Sequence, residues 1–464
     1  MTLIKSISGI RGTIGGKPGT SLTPPDIIKY TSAFATFLMQ KHPGKSLKIV
    51  IGRDARISGT MVSQLVSSTL IAMGIDVVDI GLTTTPTAEL AVVWCHADGG
   101  MIITASHNPK HWNALKLLNE QGEFLSASDG DKLLQLSEKE DFLFAEVQQL
   151  GTYTTDSSVI LKHIDLILDL PLVDREAIKN AKFSIVIDAV NSTGGIALPM
   201  LLQALGVNIL HCLYCDPTGE FPHNPEPLPE NILEISDAVV KNSADVGFVV
   251  DPDVDRLAII TELGDPFGEE YTLVAVADYV LQHKKGNTVS NLSSSLALKE
   301  ITESYGGNYY ASAVGEVHVV EMMKAKHAVI GGEGNGGIIY PKLHYGRDAL
   351  VGIALFLTYL AKSGKTCSAL RFQYPSYFIS KNKVEIGSDI LLDDLLNEIS
   401  DKYKKNVVSR IDGVKIQFGK EWVHLRKSNT EPIIRIYAES DMQEKAENLA
   451  KKIIIDFKEI INGK

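Results

Sequence analysis

One pattern of strands and helices, met three times over, restricts what this chain can fold into more than any other feature of the sequence. Each copy reads as an apolar strand, a polar loop, a helical stretch, a second strand opened by glycine, and a third strand that ends in a polar loop. The first copy has strands at 47–54 and 74–80, the latter opened by Gly74, and a third that ends at Ser106. The second has them at 183–188, 206–210 and 246–251, and the third at 287–290, 306–310 and 328–333. Strands that alternate with helices build α/β layers, in which ligands gather beyond the carboxyl ends of the strands. Each copy therefore delivers one loop to a shared place. Past about residue 370 the pattern stops. A separate piece follows with strands at 413–418 and 433–437 and a charged amphipathic helix from Gln443. The expected organisation is an α/β protein of four domains: 1–154, 155–258, 259–370 and 371–464.

A chain of 464 residues is too long for one hydrophobic core, which agrees with that division. Its 44% hydrophobic and 22% charged residues are those of an ordinary globular protein. A net charge of −11 argues against a general nucleic-acid or anionic-membrane binder, while leaving room for a local basic cleft. The most apolar run, 349–361, contains Gly352 and Thr358, is too short to cross a bilayer, and predicts a buried helix. No targeting segment is legible, and four cysteines make no disulfide framework. Cys212 and Cys215 have no second pair to complete a zinc site, so a core or strand role and a cytoplasmic location are the expectation.

The three loops differ in chemistry. The first, Thr-Ala-Ser-His-Asn-Pro at 104–109, presents the hydroxyl of Ser106 at a loop tip, either as a nucleophile or phosphate carrier or as a serine that only bonds its own turn. The second places Asp251, Asp253 and Asp255 at alternate positions, so on an extended backbone the three carboxylates point to one side. A hard divalent cation would relieve their repulsion, and Mg²⁺ suits a few carboxylate oxygens together with a phosphate oxygen. A calcium EF-hand would use Glu262 at the twelfth position, but Arg256 stands where that loop needs glycine, and the flanks read as strands. The third loop, Gly-Glu-Gly-Asn-Gly-Gly at 332–337, lets backbone approach closely and projects Glu333 and Asn335, which suit neighbouring hydroxyls of a sugar. In the last piece Arg426, Ser428, Asn429, Thr430 and Arg435 combine what a dianionic phosphate needs, the alternative being a basic hairpin turn.

Three further basic positions stand out: Arg11 between glycines, Arg53, and Lys116 just past the serine loop. Cations there would offset charge on a transferring phosphoryl group. Arg56 has a structural reading, and His96, His163 and His211, in apolar surroundings, read as satisfied core residues.

These loops, in this order, resemble the α-D-phosphohexomutase family, which includes phosphoglucomutase, phosphomannomutase and phosphoglucosamine mutase. The likeness spans essentially the whole chain. It implies three similar α/β domains with mixed sheets and a C-terminal TATA-binding-protein-like α+β domain around a central cleft. By resemblance Ser106 matches the phosphoserine, whose phosphate would complete the Mg²⁺ shell of Asp251, Asp253 and Asp255. Arg11, His107 and Lys116 match positions beside it, and Arg256 matches the arginine of the metal motif. Glu333 and Asn335, with Glu316 from a second loop at 314–318, match sugar-contacting positions. Arg426, Ser428, Asn429, Thr430 and Arg435 match the site for the phosphate that is not transferred. The sugar loop departs from many bacterial members, with Asn335 in place of a serine and Gly337 in place of a histidine, which leaves His107 and Lys116 to move the proton.

The activity implied is interconversion of hexose 6-phosphate and hexose 1-phosphate through a phosphoserine enzyme, with a hexose 1,6-bisphosphate as activator. Phosphoglucosamine mutase is the leading choice and phosphomannomutase/phosphoglucomutase the alternative. The rivals are a Mg-dependent sugar phosphatase, which would release phosphate, and a non-catalytic sugar-phosphate binding protein. The partner in every case is a small sugar phosphate.

Overall fold

The computed structural model describes residues 2–6, 9–385, 392–427 and 433–462. The chain divides into two compact units, Met1–Thr272 with Asn335–Leu370, and Leu273–Gly334 with Arg371–Lys464.

In the first unit the strand Lys48–Arg53 lies between parallel neighbours Asp76–Leu82 and Gly99–Ile103, and Trp112–Leu118 adds antiparallel to the latter. The same arrangement recurs with Ser184–Asp188 between Ile209–Leu213 and Val246–Val250, followed by antiparallel Leu257–Thr261. In the second unit Thr288–Asn291 again has two parallel neighbours, Tyr309–Ser312 and Ile330–Glu333. The threefold pattern of the sequence is thus a threefold pattern of sheets. The first sheet alone is extended, to seven strands, by Gly9–Thr13 and Ile4–Ser6 at one edge and Tyr153–Thr155 at the other.

The central strands read as unbroken apolar runs because helices cover both faces of a parallel sheet. Val246–Val250 and Gly99–Ile103 are buried at every residue. On one face of the first sheet, Ile49, Ile51, Met101 and Ile103 pack with Phe34 and Leu38 of helix Pro24–Lys41 and with Val62 and Leu70 of helix Gly59–Ala72. Each such side chain contributes about 1.5–3 kcal/mol of hydrophobic stabilisation. The helix Pro24–Lys41 starts where it does because Thr23 and Asp26 form a reciprocal capping box and proline occupies the first position.

The C-terminal part of the second unit is a five-stranded antiparallel sheet in the order Phe378–Glu385, Ile433–Ser440, Glu421–Lys427, Val414–Phe418, Val407–Ser409. Helices Leu392–Lys402 and Gln443–Asn462 cover it with Leu395, Ile399, Ala450, Ile453 and Phe457, spaced three or four residues apart on one face. This sheet-plus-helix arrangement is the α+β piece that the sequence anticipates.

The apolar run at 349–361 forms the helix Ala349–Ser363, buried from Ala349 to Leu360. Its N-cap, Asp348, accepts hydrogen bonds from the backbone of Leu350 and Val351. The same carboxylate lies 3.0 Å from His163 Nε2 and 3.3 Å from His344 Nε2, and His344 Nδ1 lies 3.2 Å from Glu89. His163 Nδ1 completes the group with Thr87 Oγ1 at 2.9 Å. His163 is therefore a satisfied core residue, as expected. His96 is not: it sits exposed at φ 49°, in the turn that follows helix Thr85–Trp94, and His211 is half-buried in a strand.

Flanked by two carboxylates, the imidazole of His344 has a negative charge beside each nitrogen and is held as a cation. Burial opposes that charge, but Asp348 and Glu89 overcome it and raise the group from 6.5 to about 10. A raised folded value gives stability that is complete below about pH 6.5 and lost as pH rises through about 10. The thermal midpoint is expected to fall between pH 7 and pH 10.5 (rough bounds of that window), and His344→Gln should have a lower midpoint at pH 7 and a flatter profile. An unchanged slope in that variant would assign the pH dependence elsewhere.

Candidate functional site

The strand Gly99–Ile103 runs directly into the serine loop. Thr104 turns the chain: its hydroxyl donates to Asp54 Oδ2 at 2.7 Å and accepts from the backbone N–H of Ser106 at 2.9 Å. Ser106 is buried and left-handed, with φ 47°. Beneath it lies Arg56, whose Nε donates to Asp54 at 3.0 Å while its terminal nitrogens donate to four backbone carbonyls of the loop. These are Ser106, Asn108 at 2.6 Å, Pro109 at 2.7 Å and Trp112 at 3.0 Å. The structural reading of Arg56 is thus the observed one: a fully buried guanidinium that fixes the serine loop.

The hydroxyl of Ser106 donates to Asp251 Oδ2 at 2.7 Å, which joins the first loop to the second. The aspartate loop is bent by Val254 at φ 63°, a conformation costly for a β-branched residue, and Val254 is fully buried. Ser192 and Thr193 brace the bend by donating to the carbonyl of Pro252 at 2.7 and 2.9 Å. Asp251 Oδ1 accepts from the backbone of Asp255 and Arg256, both at 3.2 Å. Asp253 Oδ2 accepts from Thr85 Oγ1 at 2.6 Å and Lys116 Nζ at 2.7 Å. Asp255 Oδ2 accepts from Arg347 at 2.6 Å, and Lys116 lies 3.7 Å away.

One ligand atom from each aspartate lies within 4.8 Å of the others, all three side chains being buried. Asp253 Oδ1 and Asp255 Oδ1 are buried without a hydrogen-bond partner among the described residues. A buried, unpartnered carboxylate oxygen is costly, and two beside a third carboxylate are what a hard cation satisfies. The donor set, all oxygen, fits such an ion. Burial, then the charges of Asp255 and Asp253, push the carboxyl of Asp251 well above its ordinary value. Burial acts on Asp253 in the same sense, but Lys116 and Thr85 pull its carboxyl down. Lys116 gains in return: burial opposes its charge, and Asp253 and Asp255 more than restore it. Glu262, the twelfth residue of the EF-hand alternative, instead accepts from the backbone N–H and hydroxyl of Ser368, and the loop runs between strands.

Around Ser106 the structure gathers a histidine and two arginines. His107 Nδ1 is 3.4 Å from the serine hydroxyl, and Arg256 donates to Glu226 at 3.1 Å. Burial, followed by the charges of Arg256, Arg11 and Arg347, holds His107 well below its ordinary value, so it is a neutral imidazole. Arg11, half-buried in the strand Gly9–Thr13, belongs to the same group: burial and Arg256 lower its own value.

The remaining predicted residues fall in two places. Asn335, in the first unit, accepts from the backbone of Gly337 at 3.2 Å. In the second unit Glu333 accepts from Asn291 at 3.0 Å and from the backbone of Gly315 at 3.2 Å, beside Glu316 at the start of helix Glu316–Ala325. Also in the second unit, Arg426 and Arg435 face each other directly across neighbouring strands, and Lys383 faces Arg435 from the other side. Like charges so paired destabilise a sheet, and Arg426 Nε is buried without a partner among the described residues. Ser428, Asn429 and Thr430 lie outside the described residues.

The phosphoglucomutase/phosphomannomutase descriptions match in chain order: alpha/beta/alpha domain I at 3–144, domain II at 162–264, domain III at 268–377 and the C-terminal domain at 390–455. The chain belongs to the phosphoglucomutase/phosphomannomutase family. Its members are phosphohexomutases, isomerases that act as intramolecular phosphotransferases. The chain is 35% identical over 457 residues to a phosphoglucomutase/phosphomannomutase of Thermococcus kodakarensis, covering 97% of this chain and 99% of that one. It is 32% identical to a phosphoglucosamine/phosphogalactosamine mutase of Sulfurisphaera tokodaii, covering 98% of each. Among solved structures, a family protein from Burkholderia thailandensis superposes with a TM-score of 0.84 at 23% identity, over 99% of this chain and 98% of that one, a likeness of fold.

Three groups in this phosphohexomutase escape a reading of its motifs: Thr85 and Arg347, which hold Asp253 and Asp255, and Glu226, which holds Arg256. Each stands alone in the sequence, far from the loop it serves. Arg56 was legible, and its loss is the sharper test. Arg56→Ala would leave the buried Asp54 without its charge partner and remove the guanidinium's bonds to four backbone carbonyls, a loss of about 3–5 kcal/mol. The variant is expected to lose hydrogen-exchange protection in segment 104–112 and to melt at lower temperature; parental protection there would remove Arg56 from its place under the serine.

Proposed function

We propose that this phosphohexomutase interconverts hexose 6-phosphate and hexose 1-phosphate with Ser106 as phosphoryl carrier, and that its preferred substrate is glucosamine 6-phosphate. The observation that carries the reading is the 2.7 Å contact between the Ser106 hydroxyl and Asp251, inside a buried aspartate triplet with two oxygens unpartnered among the described residues. Asp251, Asp253 and Asp255 would hold Mg²⁺, which when bound neutralises charge on the transferring phosphoryl group.

The chain's own residues divide the remaining work. Phosphoserine 106 gives its phosphoryl group to a sugar hydroxyl: the bond from Oγ to phosphorus breaks, and one from the sugar oxygen to phosphorus forms. His107, neutral and beside Ser106, suits the role of accepting the hydroxyl proton, whereas Lys116 is held charged by Asp253 and Asp255 and suits electrostatic support. Arg11 and Arg256 add fixed charge to the same site. The resulting hexose 1,6-bisphosphate returns its other phosphoryl group to Ser106. Glu333, Asn335 and Glu316 are assigned to the sugar hydroxyls. Arg426 and Arg435, with Ser428, Asn429 and Thr430, are assigned to the phosphate that stays on the sugar. The name of the Sulfurisphaera tokodaii relative favours the amino sugar, and that of the Thermococcus kodakarensis relative supports the glucose and mannose phosphates as the second reading.

Incubation with glucose 1-phosphate, Mg²⁺ and a trace of the bisphosphate should yield glucose 6-phosphate without free phosphate; release of phosphate instead would make the protein a phosphatase. Ser106→Ala should lose at least about 1,000-fold in kcat and still bind sugar phosphate. Substantial turnover by that variant would remove the serine from the mechanism. Side-by-side rates on glucosamine 6-phosphate, mannose 1-phosphate and glucose 1-phosphate test the substrate, and a negligible rate on the amino sugar would shift the choice to the second reading.

A further inference from the structure

Each aspartate of the triplet has at least one side-chain oxygen committed to the protein, and Asp251 has both, its Oδ2 accepting from Ser106. Asp251 Oδ1 takes two backbone N–H groups, and Asp253 Oδ2 takes Thr85 and Lys116. Asp255 Oδ2 takes Arg347 at 2.6 Å, both side chains buried or nearly so, and Asp255 Oδ1 is left without a hydrogen-bond partner among the described residues. We infer that Arg347 is a positioning residue of the metal centre: it pins Oδ2 of Asp255 and so would leave Oδ1 for the ion, and glycine at 337 keeps open the space its side chain needs. The inference rests on the reading of the three aspartates as metal ligands.

Two features fix the arginine where it is needed. Its backbone belongs to a short segment that is anchored on both sides. Arg347 bridges to Ile339, His344 and Asp348 join the buried group with Glu89 and His163, and a side chain on Gly346 would meet Glu89 Oε2 at 1.8 Å. Its side chain runs against Gly337, where an added Cβ would lie 2.4 Å from Arg347 Cδ and 3.1 Å from Cγ. A side chain at 337 and the observed path of Arg347 therefore exclude each other. Lysine is no substitute, because the planar guanidinium can hold one carboxylate oxygen at a set angle whereas an ammonium is a point charge. Removing the arginine frees Asp255 to rotate, with Lys116 at 3.7 Å as its other nearby cation.

The test measures Mn²⁺ binding to the purified full chain by the loss of the free-ion electron paramagnetic resonance signal, which needs no turnover. Arg347→Ala is expected to weaken Mn²⁺ binding by about 10-fold or more, as loss of an outer partner of a metal ligand does. It should lower kcat while leaving KM for the sugar phosphate within about threefold, and Arg347→Lys should restore only part of either. Gly337→Ala should shift binding in the same direction, and the double variant should be no worse than Arg347→Ala, since both act through one contact. Gly337→Ala carries the test if Arg347→Ala does not fold. Parental or tighter Mn²⁺ binding in a folded Arg347→Ala variant overturns the inference and leaves the triplet reading intact. No Mn²⁺ binding by the parent would overturn both.

Discussion

Three carboxylates buried within 4.8 Å of one another are the constraint to which the surrounding structure answers. Repulsion between such charges is strong where water cannot screen it. Lys116 and Arg347 set two positive charges against the three carboxylates, and Arg256 adds its charge at Asp251. Burial and the charges of Asp255 and Asp253 still push the carboxyl of Asp251 above its ordinary value.

The repeated sheet explains how residues so far apart in the chain arrive together. In the first unit the strands Gly99–Ile103 and Val246–Val250 are each the third of their repeat, and each ends in one of the two loops that meet through Ser106 and Asp251. The following antiparallel strands give the rest. Trp112–Leu118 carries Lys116 back beside the aspartates, and its register, with Ile102 opposite Lys116, sets how far back. Buried hydroxyls of Thr85, Ser192 and Thr193 then tie the bend of the second loop to neighbouring elements.

The repeat and both loops were legible in the sequence because their signals are contiguous: an apolar strand followed within a few residues by its polar tip. The Arg426 and Arg435 pair was legible as composition, while its direct opposition across two strands is a matter of register that only the structure supplies. Thr85 and Arg347 give no local sign at all, since an isolated threonine or arginine becomes a carboxylate's partner only through tertiary contact. The reading of His96 failed for a local reason. Apolar neighbours suggested burial, but the left-handed turn after its helix directs it outward. Tyr153–Thr155 is exposed throughout, carries no apolar pattern, and joins its sheet as an edge that periodicity does not announce.

The backbone of Ser106 also limits which amino acid can do its work. At φ 47° a branch at Cβ crowds the preceding peptide, so threonine, which offers the same hydroxyl, is disfavoured where serine is tolerated. The Thr104 hydroxyl that receives the Ser106 N–H and the four carbonyls gathered by Arg56 leave the turn little freedom to relax around an extra methyl. Stereochemistry thus favours serine over threonine at this tip, and a threonine would be held there only by bracing of the kind that Ser192 and Thr193 give the bend at Val254.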